Sequence, residues 1–214
     1  MNYLWNPEWE QQFETFLQTE MAGSDAAHEL SHIYRVVKNA VLLTAEEGAG
    51  ELAIIIPAAW LHDCVVVAKD SPQRPFASRL AAETAVSYLK SIAYPEQYHA
   101  AIAHAIAAHS FSANIPCETV EARLVQDADR LDSLGAIGIV RWLQTSVAMK
   151  RPLYHPDDPF CHHRQPDDNT AAVDHFYTKL LTLADTMKTA AGREEADRRT
   201  AVMRGWLAQL EEEI

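Results

Sequence analysis

Ten residues, Leu52 to Leu61, read LAIIIPAAWL, and this run constrains the fold more than any other part of the chain. It is apolar on every face of a helix, so it has to be enclosed by other elements. It is too short to cross a bilayer, which takes about 20 apolar residues. It ends directly in His62-Asp63. Two adjacent metal-capable side chains at the end of a buried helix need partners there, and a cation would supply one. The run predicts a central helix in an all-helical, metal-dependent hydrolase.

The flanking segments carry helical periodicity. Pro7 followed by Trp9, Phe13, Phe16 and Leu17 predicts an amphipathic N-terminal helix. Gly23-Ser24 interrupts it, and Ser24 or Asp25 can cap the next helix. That helix is expected from about Ala26 to Ala45, with Ile33, Val36, Val37, Ala40 and Val41 inward and His28, His32 and Arg35 on a neighbouring strip. The central helix is expected to run from Leu52 to Val66, with Pro57 kinking it or marking its first turn. Further helices are expected over Ser78–Ile92, Glu96–His109 and Cys117–Leu131, continuing through Val147. Asn169-Thr170 opens the last long helices, and Gly192 separates them from a closing helix, Glu194–Glu213. Strand patterns are nearly absent. The expected architecture is an all-α helical bundle, one domain over residues 1–214.

Eighteen basic residues against 30 acidic ones give a formal charge of −12. That argues against nucleic acid as the main partner. A small anionic ligand remains compatible, because a cation or a local basic cluster reverses the field inside a pocket. The sequence shows no membrane segment and no export signal, so a cytoplasmic location is the expectation. Cys64, Cys117 and Cys161 are odd in number and far apart, which speaks against a disulfide framework. Residues 151–168, RPLYHPDDPFCHHRQPDD, form a long polar loop in a helical chain. With Tyr154, His155, His162, His163 and Arg164 it reads as an active-site lid or as a plain polar loop.

Four residues from three segments stand out as ligands for one divalent ion: His32, His62, Asp63 and Asp129. Imidazole supplies a borderline-soft donor and carboxylate offsets the metal charge. Such a centre lowers the pKa of a bound water and clamps a phosphoryl oxygen. Each residue also has a plain reading. His62 suits a helix C-terminus, His32 an interface histidine, and Asp129 a salt bridge to Arg130 or Arg123. Asp127 and Asp132 compete with Asp129, and Asp132 could support it from behind.

Several segments then bring in a family. They are AHELSHIYRVVKNA, LHDCVVVAKDSPQR, IAHAIAAHSFS, VQDADRLDSLGAIGIVR and HFYTKLLTLADTMKTAAGREEADRR, in this order over almost the whole chain. They resemble the HD-domain superfamily of metal-dependent phosphohydrolases, closest to its small bacterial members, which include a nucleoside-triphosphate pyrophosphohydrolase. The resemblance implies that His32, His62, Asp63 and Asp129 bind the metal. It also implies hydrolysis of nucleoside or deoxynucleoside triphosphates to monophosphate and pyrophosphate by metal-activated water. A nucleotide monophosphatase, a cyclic phosphodiesterase or a non-catalytic regulatory binder are the alternatives.

Asp63 and His109 are the candidate catalytic side chains, with Glu83 as a further proton carrier. Lys69, Arg74 and Arg35 are candidates for the substrate phosphates. His104 and His109 leave room for a second metal ion. Mn, Mg, Co, Ni and Fe all suit the donor set. The expected partner is a small phosphorylated molecule, a nucleotide, and a homodimer stays open.

Overall fold

The apolar run forms a helix that stops sooner than its hydrophobicity suggests. In a computed structural model, which describes residues 7–20, 30–65, 67, 71–110 and 113–214, it spans Leu52–Leu61. We call it α3, after α1 (Pro7–Glu20) and α2 (Leu30–Glu47). Ala53 through Leu61 are all buried, as expected of a central helix. The expected continuation to Val66 is not made. His62 caps the helix, and the Cys64 N–H turns back to the Leu61 carbonyl at 3.2 Å. The His62-Asp63 pair therefore sits in a turn, where both side chains can face one point.

Pro57 lies inside α3 and has no N–H for the carbonyl of Ala53, one turn earlier. The Tyr94 hydroxyl donates to that carbonyl at 2.6 Å, and Tyr94 is itself buried. A bond lost within the helix is replaced from outside it, so the helix tolerates its proline. Just before α3, Gly48 closes α2 in a left-handed conformation, φ 66°, with its N–H on the Thr44 carbonyl.

The remaining helices are α4 (Ala77–Ser91), α5 (His99–His109), α6 (Val120–Leu131), α7 (Gly135–Ala148), α8 (Asp174–Thr178) and α9 (Ala190–Glu213). Every regular element among the described residues is helical, so the chain is all-α as read from its sequence. Two compact units divide it, Met1–Asp129 and Arg130–Ile214. In the first, α3 packs on α1, α2, α4 and α5. Its core includes Phe13, Ile33, Ile55, Leu61, Leu89, Ile102 and Ile106, all closed to solvent. In the second, α7 packs on α9 around stacked aromatics. Phe176 and Trp206 lie parallel with centroids 5.4 Å apart, and Trp142 meets both edge-on.

Several boundaries differ from the sequence reading. The helix after Pro116 begins at Val120, not Cys117. The region after Asn169 is broken into α8 and two single turns, Leu180–Thr182 and Ala184–Thr186. Phe176, Leu180, Leu183 and Met187 are nonetheless buried as expected. Gly192 lies inside α9 rather than before it, because the Thr189 side chain accepts its N–H at 3.0 Å and sets the start of the helix. On α2, Val41 is exposed and Leu43 takes the inward place. His28, Ser24, Asp25 and Lys69 lie outside the described residues.

Candidate metal centre

Two histidines end helices in the first unit, and both bend back on their own backbone. His62 caps α3 and its Nδ1 lies 2.8 Å from the Ala59 carbonyl. His109 is the last residue of α5 and its Nδ1 lies 2.6 Å from the Ile106 carbonyl. The last carbonyls of a helix have no partner within it. A carbonyl only accepts, so each Nδ1 carries a proton and each Nε2 is the atom presented forward. Local helix-end chemistry thus fixes the ring orientation, an outer-shell device common to metal-binding histidines.

The forward nitrogens meet two carboxylates. His62 Nε2 stands 3.7 Å from Asp63 Oδ2 and 3.8 Å from Asp129 Oδ1. His32, buried on α2, places Nε2 3.4 Å from the same Asp129 oxygen. His109 Nε2 lies 3.6 Å from Asp63 Oδ1. The order is His32, Asp129, His62, Asp63, His109, with His62 at the middle. Its ring meets that of His32 at 5.4 Å and that of His109 at 4.9 Å, both edge-on.

Three of these five side chains are imidazoles nearly closed to water, whereas about a third of each carboxylate is exposed. The centre therefore opens on the carboxylate side. Burial pushes the His62 ring toward its neutral form, against the pull of Asp63 and Asp129. Burial also disfavours charge on His109, but the Asp63 carboxylate beside it outweighs this and raises its pKa. Both carboxylates resist their desolvation. His62 and His109 hold Asp63 well below the usual range, and His32 and His62 do the same for Asp129.

His62 Nε2 is buried and has no hydrogen-bond partner among the described residues. A neutral imidazole with its proton on Nδ1 aims a lone pair between two carboxylates. That arrangement repels unless something positive lies between. Donors sharing a cation at roughly 2.1 Å stand about 3 to 4 Å from one another, which is the spacing seen. Two triads qualify, His32-His62-Asp129 and His62-Asp63-His109, each with donor atoms within 4.8 Å of one another. The donor set fits a divalent metal.

His62 does cap α3, as its plain reading has it, and the other candidates have these partners. Arg123 donates to the Cys117 carbonyl and Arg130 to the Thr186 carbonyl. Asp132 is buried against Arg141. His104 accepts the Glu118 N–H at 3.1 Å, a structural task away from the cluster. Glu83 is exposed on α4. Arg74 donates to the Val67 carbonyl at 2.8 Å, which uses part of its fork. Arg35 is half-buried on α2, one turn beyond His32. Sequence reading placed His109 in catalysis without seeing that it shares Asp63 with His62. The signal was available: both histidines stand at the end of an apolar, alanine-rich helix.

Known proteins resemble this chain over most of its length. The HD domain family model matches residues 30–134, a span holding all five side chains. The uncharacterized protein YpgQ of Bacillus subtilis is 31% identical over 209 residues, covering 95% of this chain and 93% of that protein. The crystal structure of YpgQ in complex with ADP matches with a TM-score of 0.73 and 32% identity, over 95% of this chain and 97% of that one. A crystal structure of an HD-superfamily hydrolase from Bacillus thuringiensis matches equally well, with a TM-score of 0.73, 32% identity and 97% coverage of both chains. A family model over the metal centre and relatives alike along almost their whole length lead to one conclusion: the chain belongs to the HD-domain superfamily of metal-dependent phosphohydrolases.

Proposed function

We propose that the protein hydrolyses nucleoside or deoxynucleoside triphosphates to monophosphate and pyrophosphate, with a divalent cation held by His32, His62, Asp63 and Asp129. The observation that carries the metal reading is the buried His62 Nε2, unpartnered and aimed between two carboxylates. The nucleotide reading draws support from YpgQ, a relative crystallised with ADP. When bound, such a cation supplies an activated water and polarises a phosphoryl oxygen.

The chain's own residues do the rest. The Ala59 and Ile106 carbonyls hold the rings of His62 and His109, so their Nε2 atoms need no reorganisation. Asp63 divides its oxygens, Oδ2 toward His62 and Oδ1 toward His109. His109, whose Nε2 lies 3.6 Å from Asp63 Oδ1, is the candidate proton donor for the leaving oxygen. Arg35, one turn beyond His32 on the same helix, is a candidate contact for a phosphate. The two imidazoles of the ligand set, His32 and His62, favour a transition cation over Mg.

The test is product-resolved hydrolysis of a nucleotide panel by metal-stripped protein restored with Mn, Mg, Co or Ni. Monophosphate and pyrophosphate are expected from triphosphates, with neither formed by an Asp63→Ala variant. Release of phosphate from monophosphates, or opening of cyclic phosphates, would replace this substrate class. No turnover by folded protein with any metal would reject the reading.

A further inference from the structure

The second unit has a cavity of its own, about 370 Å³, lined among others by Arg141, Arg151, Lys179, Trp142, Leu180 and Asp168. All its lining residues fall between Ser133 and Leu180, and none belongs to the metal centre. Three cationic side chains line this one cavity in a protein of charge −12. Asp132 offsets Arg141, so Arg151 and Lys179 are the cations that an anion there would answer.

The carboxylates nearby are already engaged. Asp132 is buried against Arg141. Asp168 gives Oδ2 to His175 at 2.6 Å and to the Thr178 hydroxyl at 3.3 Å, and its main-chain carbonyl accepts from Arg151. Arg151 also reaches the Ser146 hydroxyl at 3.4 Å. These contacts fix the guanidinium without using it up. Arg151 Nε is buried and has no hydrogen-bond partner among the described residues. No ion pair among the described residues engages the Lys179 ammonium, whose side chain is exposed. Thr145 and Asn169 add neutral donors to the same cavity.

We propose that this cavity binds a phosphoanion, held by Arg151 and Lys179. The Arg151 guanidinium, with its Nε left over, and the Lys179 ammonium offer donors for which phosphoryl groups supply several acceptor oxygens. The volume suits a ligand of a few phosphoryl groups or a small phosphate ester. Trp142 and Leu180 give an apolar wall against which the organic part of an ester can lie. Two sources share this chemistry, inorganic pyrophosphate and a nucleoside monophosphate. The site does not rest on the metal reading, since none of its lining residues is one of the proposed metal ligands.

The experiment is titration calorimetry on the full chain stripped of metal and kept in chelator, with inorganic pyrophosphate in one arm and a nucleoside monophosphate in the other. Saturable binding in either arm is expected, and the arm that binds names the source. Lys179→Glu should weaken it at least tenfold, and the milder Lys179→Gln should weaken it less. Both variants should melt within a few degrees of the parent, because the side chain is exposed. A His62→Ala variant should bind as the parent does, since no metal is present. The proposal falls if folded parent protein binds neither probe, if Lys179→Glu binds undiminished, or if His62→Ala loses the binding. Failure here leaves hydrolysis at the metal centre untouched, and failure there leaves this binding untouched.

Discussion

Histidines and carboxylates gather in both units, but at different distances. In the first unit the imidazole nitrogens stand 3.4 to 3.8 Å from the oxygens of Asp63 and Asp129. In the second, the contacts close to true hydrogen bonds. Arg164 grips Asp174 at 2.5 and 2.6 Å, His175 meets Asp168 at 2.6 Å, and Asp158 accepts the N–H groups of His162, His163 and Arg164 at 2.8 to 3.1 Å. A polar group that is satisfied by its neighbours holds structure together. One set at ion-sharing distance, with a buried nitrogen left over, is arranged for something the chain does not itself supply.

The largest effect should come from the middle of the metal centre. His62→Ala removes the nitrogen common to both triads. We expect kcat/KM to fall at least about 1,000-fold, roughly 4 kcal/mol in barrier, with metal content per chain falling in parallel. Elemental analysis alongside kinetics is the check. A variant that keeps its metal and a rate within tenfold of the parent would break the comparison, because the unpartnered nitrogen would then be incidental.

How much of this could be read beforehand follows from the kind of interaction involved. The all-α class and the burial of Leu52–Leu61 were legible, because periodicity and hydrophobicity act through each residue separately. His32, His62, Asp63 and Asp129 were legible as candidates through residue type and the segments around them. The end of α3 at Leu61 was not, because the stop depends on a turn that hydropathy does not encode. Nor was the rescue of Pro57 by Tyr94, a contact between positions 41 residues apart. The histidines of residues 151–168 looked as promising in type as His62. Their partners, Glu211 for His162 and the Asp157 N–H for His155, and the exposure of His162 and His163 distinguish them.

The satisfied network should answer to stability. Asp174 is fully buried and carries two bonds from Arg164 and one from the Asp167 N–H. Asp174→Ala leaves the guanidinium without its partner, a loss of about 3 to 5 kcal/mol. Chemical denaturation at neutral pH measures it. Burial alone would raise the Asp174 pKa, but the Arg164 bonds lower it overall. A depressed carboxylate stabilises above its unfolded pKa, near 4, and the gain is lost as pH falls through the folded value. The gap between parent and Asp174→Asn should therefore narrow as the medium is acidified below about pH 4. A gap independent of pH would mean that the carboxylate charge contributes nothing.

A smaller loss is expected at Tyr94, where one hydroxyl serves one carbonyl. Tyr94→Phe leaves the Ala53 oxygen buried and unpaired, a loss of about 1 to 3 kcal/mol. Pro57→Ala in the same chain supplies an N–H to that oxygen and should recover part of it. A double-mutant cycle that proves additive would show that Tyr94 and Pro57 act independently.

The smallest effect sharpens the comparison from the other side. His162 Nε2 contacts Glu211 Oε1 at 2.9 Å, shorter than any imidazole–carboxylate contact in the metal centre, yet both side chains are more than half exposed. Water competes for each group, so His162→Ala should change stability by less than about 1 kcal/mol. The short contact should thus matter less than the 3.8 Å separation between His62 and Asp129. Burial and the lack of any other partner, not proximity, decide which histidine the protein depends on. A loss above 2 kcal/mol on denaturation of His162→Ala would overturn that ranking and give the loop a weight its exposure does not predict.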